Sequence, residues 1–405
     1  MTHGVDTPAP VDPALAGLPT ADFFDFESLL SAAEQAKLVE LREFLAREVA
    51  PFATQWWNDA EFPAHILPKL AALELSAPAQ RGYSNLFAGL VIAEMTRVDT
   101  SLATFFLVHH DLFVESLYGF GSDEQKTRLL QDAANLRTTG AFALTEPDHG
   151  SDVAGGMETT ARRVSGGEAG DYWVLNGAKR WIGNGTFCDY MLVWARDEAD
   201  GGIRGFIVDA TLPGVSRSRI ENKIALRTVQ NADIVFDDVR VAESDRFAGI
   251  NSFEDTNELL RGSRIMVAWQ GVGQQLAAFD VARRYAVERR QFGRPLAKFQ
   301  LVQQQLVTML GNAVASMGMM VRIAQLQDAG AADMPQVALA KSYVSARMRE
   351  TVAMGRSLLG GNGIVTDYAM AKIFADAEAI YTYEGSYEIN TLIVGRAVTG
   401  VSAIV

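Results

Sequence analysis

The stretch YWVLNGAKRWI, residues 172–182, decides the architecture of this 405-residue chain. Aromatic and β-branched residues on both sides of Asn176-Gly177 are typical of strands, and Asn-Gly is the strongest short signal for a tight hairpin turn. The sequence therefore predicts two paired strands, 172–175 and 179–182, in the middle of the chain.

The same two-residue periodicity extends from about residue 141 to about residue 245, on both sides of this hairpin. Further strands are predicted at Tyr190–Trp194, Gly205–Val208 and Asp233–Phe236. Because these short strands alternate with glycine, asparagine and aspartate, the region is typical of an antiparallel β-barrel or sandwich.

Helical patterns flank the β region. Before it, from about residue 27 to about residue 135, apolar residues such as Leu38, Leu41 and Leu45 recur at helical spacing, and Pro51 ends that helix. After it, long segments with few helix-breaking residues predict three helices. They are Leu276–Arg290, Leu301–Gln327 and Gln336–Leu359.

The order of helices, strands and helices places the chain in the α+β class. A chain of 405 residues is also too long for one simple core, so several packed domains are expected. The predicted segments are a flexible N-terminal tail (1–26), an N-terminal helical domain (27–140), a central antiparallel β-domain (141–253) and a C-terminal helical bundle (254–405).

The composition is that of an acidic globular protein. Hydrophobic residues make up 48% and charged residues 21%, a balance that argues against a disordered chain. A net charge of −13 argues against a nucleic-acid partner, because phosphate binding needs a basic surface. Cys188 is the single cysteine, which excludes an internal disulfide and a cysteine-rich metal site, and no metal is expected.

Targeting signals are also missing from the sequence. No uninterrupted apolar run approaches the roughly 20 residues that cross a bilayer. Met1–Pro19 lacks the basic start and apolar stretch of a signal peptide, and Ser402–Val405 is not a peroxisomal signal. We therefore expect a cytoplasmic protein without membrane insertion.

The segment Tyr381–Asn390 places Glu384 among aromatic residues, directly before Gly385 and Ser386. Burial among such residues raises the pKa of a glutamate above its usual value of about 4.3. A base that accepts a carbon-bound proton benefits from this environment. The alternative is that Ser386 caps a helix and that Glu384 is exposed.

Three other segments could bind a phosphate or a flat ring. Ala143–Asp152 is a turn with free N–H groups and hydroxyls, Leu359–Ile364 has three glycines, and Arg289–Gly293 combines guanidinium, amide and aromatic groups. Each also has a purely structural alternative, which is a connecting loop, a helix stop and a solvated helix end, respectively.

Taken together, these motifs resemble the acyl-CoA dehydrogenase and acyl-CoA oxidase superfamily, from about residue 30 to the end. Within it, the chain is most similar to glutaryl-CoA dehydrogenases and to plant short-chain acyl-CoA oxidases. The matching segments, in family order and spacing, are Leu144–Asp152, Lys179–Asn184, Arg289–Gly293, Gly360–Gly363 and Tyr383–Ser386.

The resemblance implies a C-terminal four-helix bundle and a homotetramer with one FAD per subunit. It assigns the catalytic base to Glu384 and substrate contacts to Ser151, Arg264 and Gly385. The FAD positions that it implies are Phe142, Leu144, Thr145, Ser151, Trp181, Ile182, Gly183, Arg289, Phe292, Gln300, Ser357, Leu358, Leu359, Gly360, Gly361 and Ser386.

The reaction that the resemblance implies is the α,β-oxidation of an acyl-CoA thioester, as in fatty-acid β-oxidation. Glu384 takes the α-proton while the β-hydrogen leaves as hydride to flavin N5, which gives the trans-2-enoyl-CoA. The thioester carbonyl accepts hydrogen bonds from the Glu384 backbone N–H and from a flavin ribityl hydroxyl, which stabilises the developing enolate.

The chain departs from its relatives at three positions. Ser263 stands where some members carry the base, which strengthens the assignment of Glu384. Ala103 stands where glutaryl-CoA dehydrogenases carry an arginine for the distal carboxylate, so glutaryl-CoA is an unfavourable substrate. Gly183 stands where most dehydrogenases have a threonine beside flavin N5, which leaves open whether the electron acceptor is an electron-transferring flavoprotein or oxygen.

Two further alternatives remain at the level of sequence. Nitroalkane oxidation on the same fold uses an aspartate as base, and Glu384 argues against it. A catalytically silent relative that binds acyl-CoA or acts as a scaffold would not need both Glu384 and the flavin positions.

Overall fold

The computed structural model describes Leu15 and residues 17–167 and 170–403, so most of the predicted flexible tail (1–26) lies outside the described residues. Helices form the larger part of the described chain. The α-helices are α1 (Ala32–Phe44), α2 (Ala53–Asp59), α3 (Leu67–Ala71), α4 (Asn85–Val98), α5 (Thr100–Leu107), α6 (Glu115–Phe120), α7 (Asp123–Ala134), α8 (Val153–Gly156), α9 (Phe253–Glu288), α10 (Gln300–Asp328), α11 (Met334–Leu358), α12 (Met370–Thr382) and α13 (Tyr387–Thr399).

Two further helical segments, Leu45–Val49 and Val108–Val114, are π-helical. The strands lie almost entirely between α7 and α9. They are β1 (Gly140–Ala143), β2 (Thr160–Gly167), β3 (Gly170–Ile182), β4 (Tyr190–Asp197), β5 (Ile203–Asp209), β6 (Val215–Arg219), β7 (Ala232–Ala242), β8 (Arg290–Gln291) and β9 (Arg294–Pro295). A helical N-terminal part, a central sheet and a helical C-terminal part confirm the predicted α+β class.

The described residues form two compact units, each built from separate segments of the chain. The helical unit contains the residues up to Asn58, Pro78–Thr100 and the residues from Val267 onward. The sheet unit contains Asp59–Ala77 and Ser101–Met266. The linear domain boundaries predicted from the sequence, after residues 26, 140 and 253, stay a prediction.

In the helical unit, α11 packs against α10, α12 and α13. The long helices predicted at 276–290, 301–327 and 336–359 correspond to the end of α9, to α10 and to α11. Apolar side chains spaced along α11, including Val337, Val344 and Met348, are almost completely buried. This amphipathic spacing places α11 at the centre of the bundle.

In the sheet unit, seven strands form one sheet in the order β1-β4-β2-β3-β7-β6, with β5 paired to β4. Most neighbours are antiparallel, as predicted, but β4 runs parallel to both β1 and β2. The sheet is therefore mixed. The long connection between β1 and β4 along the chain allows this parallel pairing.

The predicted hairpin at Asn176-Gly177 is wrong. β3 is one continuous strand from Gly170 to Ile182, with a register shift at this dipeptide and a φ of 145° at Gly177. The Asn176 side chain donates from Nδ2 to Asp238 Oδ1 at 3.0 Å, and its Oδ1 accepts from the Asp238 N–H at 2.8 Å. The asparagine thus bridges to β7, and the pair forms a bulge within the strand.

Candidate active site

The link between α12 and α13 carries Glu384, which is half-buried. Ser386 caps α13, because its Oγ accepts a hydrogen bond from the Ile389 N–H at 3.3 Å. Glu384 and Gly385 have φ angles of 57° and 70°, in the left-handed region. This conformation costs a non-glycine residue on the order of 1 kcal/mol. The surrounding structure must therefore hold Glu384 in place.

Lys341 on α11 holds this link from both sides of Glu384. Its side chain is completely buried. Its Nζ donates to the carbonyl oxygen of Tyr383 at 2.9 Å and to that of Gly385 at 3.1 Å. One ammonium group therefore binds the carbonyl of the residue before Glu384 and the carbonyl of the residue after it.

The same ammonium group also binds the end of α12. Nζ donates to the carbonyl oxygens of Ile380 at 2.9 Å and Tyr381 at 3.3 Å. A cation at the C-terminus of a helix interacts favourably with the helix dipole and satisfies its last carbonyls. Lys341 was not among the predicted site residues. Its signal is a lysine among the apolar residues of the segment VALAKSYV, residues 337–344.

Two further side chains support the link. The Tyr383 hydroxyl donates to Gln270 Oε1 at 2.5 Å, and Gln270 is completely buried. Asn390 Nδ2 donates to the carbonyl oxygens of Gly385 at 2.7 Å and Ser386 at 3.0 Å. The predicted base thus lies in a turn whose backbone is held by α11 and α13, and whose Tyr383 side chain is bound by α9.

The first group of predicted FAD positions in the helical unit lies at the end of α9. The small hairpin β8–β9 turns at Phe292 and Gly293, whose φ angles of 50° and 78° suit a two-residue hairpin loop. Phe292 is 90% exposed. Arg289, which precedes it, and Gln300, which begins α10, are also exposed. An aromatic ring and a guanidinium group of this segment are therefore both accessible to a ligand.

The second group, Ser357–Gly361, lies where α11 ends. Gly360 has a φ of 58°, which permits the sharp turn after the helix. Asn362 Nδ2 donates to the Tyr285 hydroxyl at 2.9 Å, and Tyr285 lies one turn before Arg289 on α9. The structure thus brings the glycine turn and the arginine segment to the same end of the bundle.

In the sheet unit, two predicted FAD-binding segments lie side by side. The Arg180 N–H donates to the Thr145 carbonyl oxygen at 2.8 Å. Lys179 Nζ donates to the Leu144 carbonyl oxygen at 3.1 Å. The loop that follows β1 is therefore joined to the end of β3.

The exposure of the side chains at this junction differs. Trp181 has a φ of 65° and is 51% exposed, and the Arg180 guanidinium carbon lies 5.1 Å from the centre of its ring. Ser151 is also exposed, and Phe142 is half-buried on β1. Ile182 is buried in the sheet core, so its side chain is a structural contact.

Lys179 and Glu146 form a buried ion pair beneath this junction, with 2.8 Å between Nζ and Oε1. Glu146 also accepts hydrogen bonds from the N–H groups of Glu158 and Thr159. Burial raises the pKa of Glu146, but Lys179 and these hydrogen bonds outweigh it and hold the pKa below 4.5. Burial lowers the pKa of Lys179 to about 8, although Glu146 favours the charged form.

His109, in the π-helical segment, fixes the start of β1. Its Nδ1 accepts from the Gly140 N–H at 3.0 Å, and Nε2 lies 2.8 Å from the Ala133 carbonyl oxygen. This pattern requires the neutral imidazole with the proton on Nε2. Burial lowers the pKa of His109 to about 4, in agreement with a neutral ring.

Gly183 lies against Val108. A Cβ atom added at Gly183 would stand 3.1 Å from Val108 Cγ2, which is closer than an ordinary contact. The valine therefore occupies part of the space that a larger side chain at residue 183 would need.

Three other positions from the sequence analysis are buried in the sheet unit. Ser263 donates its hydroxyl to carbonyl oxygens of its own helix, α9, and Arg264 beside it is only 7% exposed. Ala103 on α5 is completely buried and offers no charge for a carboxylate. The substrate contact assigned to Arg264 stays a prediction.

The chain matches three domains of one protein family in sequence. These are the acyl-CoA dehydrogenase N-terminal domain over residues 31–137, the middle domain over 141–239 and the C-terminal domain over 253–399. The chain therefore belongs to the acyl-CoA dehydrogenase family, as its motifs predicted.

Several named proteins are similar over almost their full length. The chain is 32% identical to the 3-(aryl)acrylate reductase of Clostridium sporogenes, over 89% of this chain and 97% of that protein. It is 31% identical to the mitochondrial short-chain specific acyl-CoA dehydrogenase of Rattus norvegicus, over 87% of each. It is 30% identical to a subunit of the caffeyl-CoA reductase–Etf complex of Acetobacterium woodii, over 89% of this chain and 97% of that subunit.

Solved structures agree with this family. Glutaryl-CoA dehydrogenase from Mycobacterium smegmatis has a TM-score of 0.90 and 34% identity, and the match covers 95% of this chain and 100% of that one. A second structure, of a glutaryl-CoA dehydrogenase from the same organism in complex with FADH2, has a TM-score of 0.90 and 29% identity, covering 95% and 99%.

Family membership makes this protein an FAD-dependent oxidoreductase that acts on CH–CH bonds. The residues present fit that cofactor. The open indole of Trp181 suits a flat ring, the hydroxyls of Thr145 and Ser151 suit its polar edge, and the exposed guanidinium of Arg289 suits a pyrophosphate.

Proposed function

We propose that this protein oxidises a short-chain acyl-CoA thioester to the trans-2-enoyl-CoA, with Glu384 as the base. The observation that carries this proposal is the turn that holds Glu384. Its flanking carbonyls bind the buried Lys341 ammonium, and its φ of 57° is maintained against steric cost. A left-handed backbone that is held by a buried cation fixes the position of this carboxylate.

In this mechanism, the Glu384 carboxylate removes the α-proton of the thioester. The Glu384 backbone N–H donates to the thioester carbonyl oxygen, where negative charge develops, and so lowers the barrier to proton removal. The chemistry that FAD would supply when bound is acceptance of the β-hydrogen as a hydride. The predicted flavin positions of the sheet unit would hold the ring, with Trp181 beside it, and Arg289 would hold the pyrophosphate of a FAD bound mainly by a neighbouring subunit.

A short acyl chain is favoured over glutaryl-CoA. One relative is named as a short-chain specific acyl-CoA dehydrogenase. Ala103, which replaces the carboxylate-binding arginine of glutaryl-CoA dehydrogenases, is completely buried and uncharged. A distal carboxylate placed next to Ala103 would not be paired by this residue. An unpaired charge is costly in a buried site.

We propose an electron-transferring flavoprotein as the acceptor, in the cytoplasm. The relative that belongs to a reductase–Etf complex supports this acceptor. Oxygen is the second candidate, because Gly183 removes a hydroxyl that most dehydrogenases place beside the flavin. A Cβ atom added at Gly183 would stand 3.1 Å from Val108 Cγ2, so an aliphatic side chain lies next to this position.

A homotetramer is also part of the proposal. On α10, Leu301 is 76% exposed and Val307 is 70% exposed, and both are apolar. By length and composition, α10 could also cross a membrane, but burial of such side chains against further subunits agrees with the family and with the acidic, globular character of the chain.

The test is to mix the FAD-loaded protein anaerobically with butyryl-CoA and to follow the flavin absorbance. The wild-type flavin is expected to bleach while trans-2-butenoyl-CoA forms. The variant E384Q should bleach about 10²–10⁴-fold more slowly, because it lacks the base. Glu388, an exposed glutamate in the same segment, supplies the matched control E388Q, which should react as wild type.

Air is then admitted to the bleached protein. Persistent bleaching supports the dehydrogenase, whereas rapid reoxidation with peroxide supports the oxidase. An E384Q variant that reacts at the wild-type rate would refute the assignment of the base. A wild-type flavin that never bleaches with butyryl-CoA or longer straight-chain thioesters would refute the substrate class.

A further inference from the structure

The geometry points to Lys341 as the residue that positions Glu384 and its backbone N–H for proton abstraction. This inference rests on the proposed function of Glu384. Lys341 lies on α11, in the bundle core, and is completely buried. It contacts the backbone on both sides of the base, so we describe it as a positioning residue.

Lys341 holds the peptide group before Glu384. A trans peptide is planar, and its C=O and N–H point in opposite directions. The Tyr383 carbonyl oxygen accepts from Lys341 Nζ at 2.9 Å. Lys341 therefore also fixes the direction of the Glu384 N–H, which is the group that donates to the thioester oxygen in the proposed mechanism.

The peptide group between Gly385 and Ser386 is held as well. The Gly385 carbonyl oxygen accepts from Lys341 Nζ at 3.1 Å and from Asn390 Nδ2 at 2.7 Å. With the Tyr383–Glu384 and Gly385–Ser386 peptides held, the backbone before and after Glu384 is restrained, and its φ of 57° is maintained. Without the ammonium group, two partly buried carbonyls each lose a donor, and the turn can relax to a less strained conformation.

The helical unit contains a second buried lysine that serves as a matched control. Lys372 on α12 is only 4% exposed, and its Nζ contacts Asp99 Oδ2 at 2.9 Å and Asp376 Oδ2 at 3.1 Å. Lys372 binds carboxylates and none of the carbonyls of the Glu384 turn. Both lysines are buried cations of one unit, but only Lys341 is linked to the base.

The experiment compares K341M and K372M in the FAD-loaded protein. Methionine keeps the length of the side chain and removes the charge. In K341M, kcat for butyryl-CoA oxidation should fall about 10²-fold, as expected for a misplaced reacting group, while KM changes less than about threefold. Amide hydrogen exchange, measured by mass spectrometry, should accelerate in peptides that cover residues 380–386.

The variant K372M should lower the melting temperature but leave kcat and the exchange of Tyr383–Ser386 near wild type. If K372M reduces kcat as much as K341M, loss of any buried cation explains the effect, and the inference is wrong. If K341M has wild-type kcat while E384Q is inactive, Lys341 does not position the base, but the proposed function stands. If E384Q is fully active, the proposed function itself fails.

A second variant decides the case in which K341M does not fold. N390L removes the other side-chain donor to the Gly385 carbonyl and keeps a similar volume. It should lower kcat about tenfold and accelerate exchange at Gly385 and Ser386, in the same direction as K341M but less strongly. An N390L protein with wild-type kcat and exchange would overturn the inference.

Discussion

Lys341 in the helical unit and Lys179 in the sheet unit are both completely buried, and each holds a loop that carries predicted site residues. They differ in the hydrogen-bond acceptors that each ammonium group binds. Lys179 pairs with the Glu146 carboxylate at 2.8 Å and with one carbonyl oxygen. Lys341 donates to four carbonyl oxygens, one of them that of Tyr383.

This difference teaches that a buried cation can be held by a titratable group or by peptide dipoles. A carboxylate supplies a full charge, and it can be protonated. Peptide carbonyls supply partial charges, including those at the end of a helix, and they do not titrate in the usual pH range. The carbonyl oxygens that accept from Lys341 thus keep their partial charges at every usual pH, whereas the Glu146 carboxylate that pairs with Lys179 does not.

The largest effect is expected from a variant that removes the cation of the Lys179–Glu146 ion pair. K179M leaves Glu146 as a buried carboxylate without its cation, so the free energy of unfolding should fall by about 3–5 kcal/mol. Urea denaturation measures this loss. The double variant K179M/E146L removes both charges and should recover most of the stability. A K179M protein as stable as wild type would contradict the role of the ion pair.

A second, intermediate effect separates the two loops by pH. The pKa of Glu146 lies below 4.5, so its contribution to stability is complete above that value and is lost as the pH falls through the lowered pKa. Amide exchange at 144–146, corrected for its intrinsic pH dependence, should therefore accelerate in acid before exchange at 383–385 does.

The control for this measurement is E146Q, which has no carboxylate to protonate. Its exchange at 144–146 should already be faster at neutral pH and should change less on acidification. If the loop at 383–385 loses protection at the higher pH of the two, the distinction between the two kinds of site is wrong.

The smallest expected effect tests packing beside the carboxylate-held loop. G183T places a side chain 3.1 Å from Val108 Cγ2, so it should destabilise the protein by about 1 kcal/mol. Thermal unfolding measures the loss. V108A combined with G183T creates space and should restore part of the stability. Equal destabilisation in the single and double variants would show that Val108 is not the cause.

The order of structural elements was accessible from the sequence, because helical and two-residue periodicities are local. The long segments at 301–327 and 336–359 became α10 and α11 with nearly the same bounds. The hairpin at Asn176-Gly177 failed for the opposite reason. Asn176 bonds to Asp238, which is 62 residues away, and no local signal announces this partner.

The candidate site was accessible in part. Motif order identified Glu384 and the flavin segments, and the structure brings Thr145 beside Arg180 and the glycine turn beside Tyr285. Lys341 was missed because its ligands are backbone carbonyls, which every residue has, so the sequence carries no partner pattern. Glu146 and Lys179 lie inside two of the predicted motifs, but only the fold shows that the two side chains form an ion pair.

The left-handed backbone of Glu384 has a consequence for how such a protein can change over generations. Glycine adopts a φ of 57° without steric cost, so the residue with the least backbone strain at this position has no carboxylate. Selection for stability and selection for activity therefore favour different residues at one position. In a related protein whose activity is no longer under selection, we expect the glutamate to be replaced early and the stability to rise.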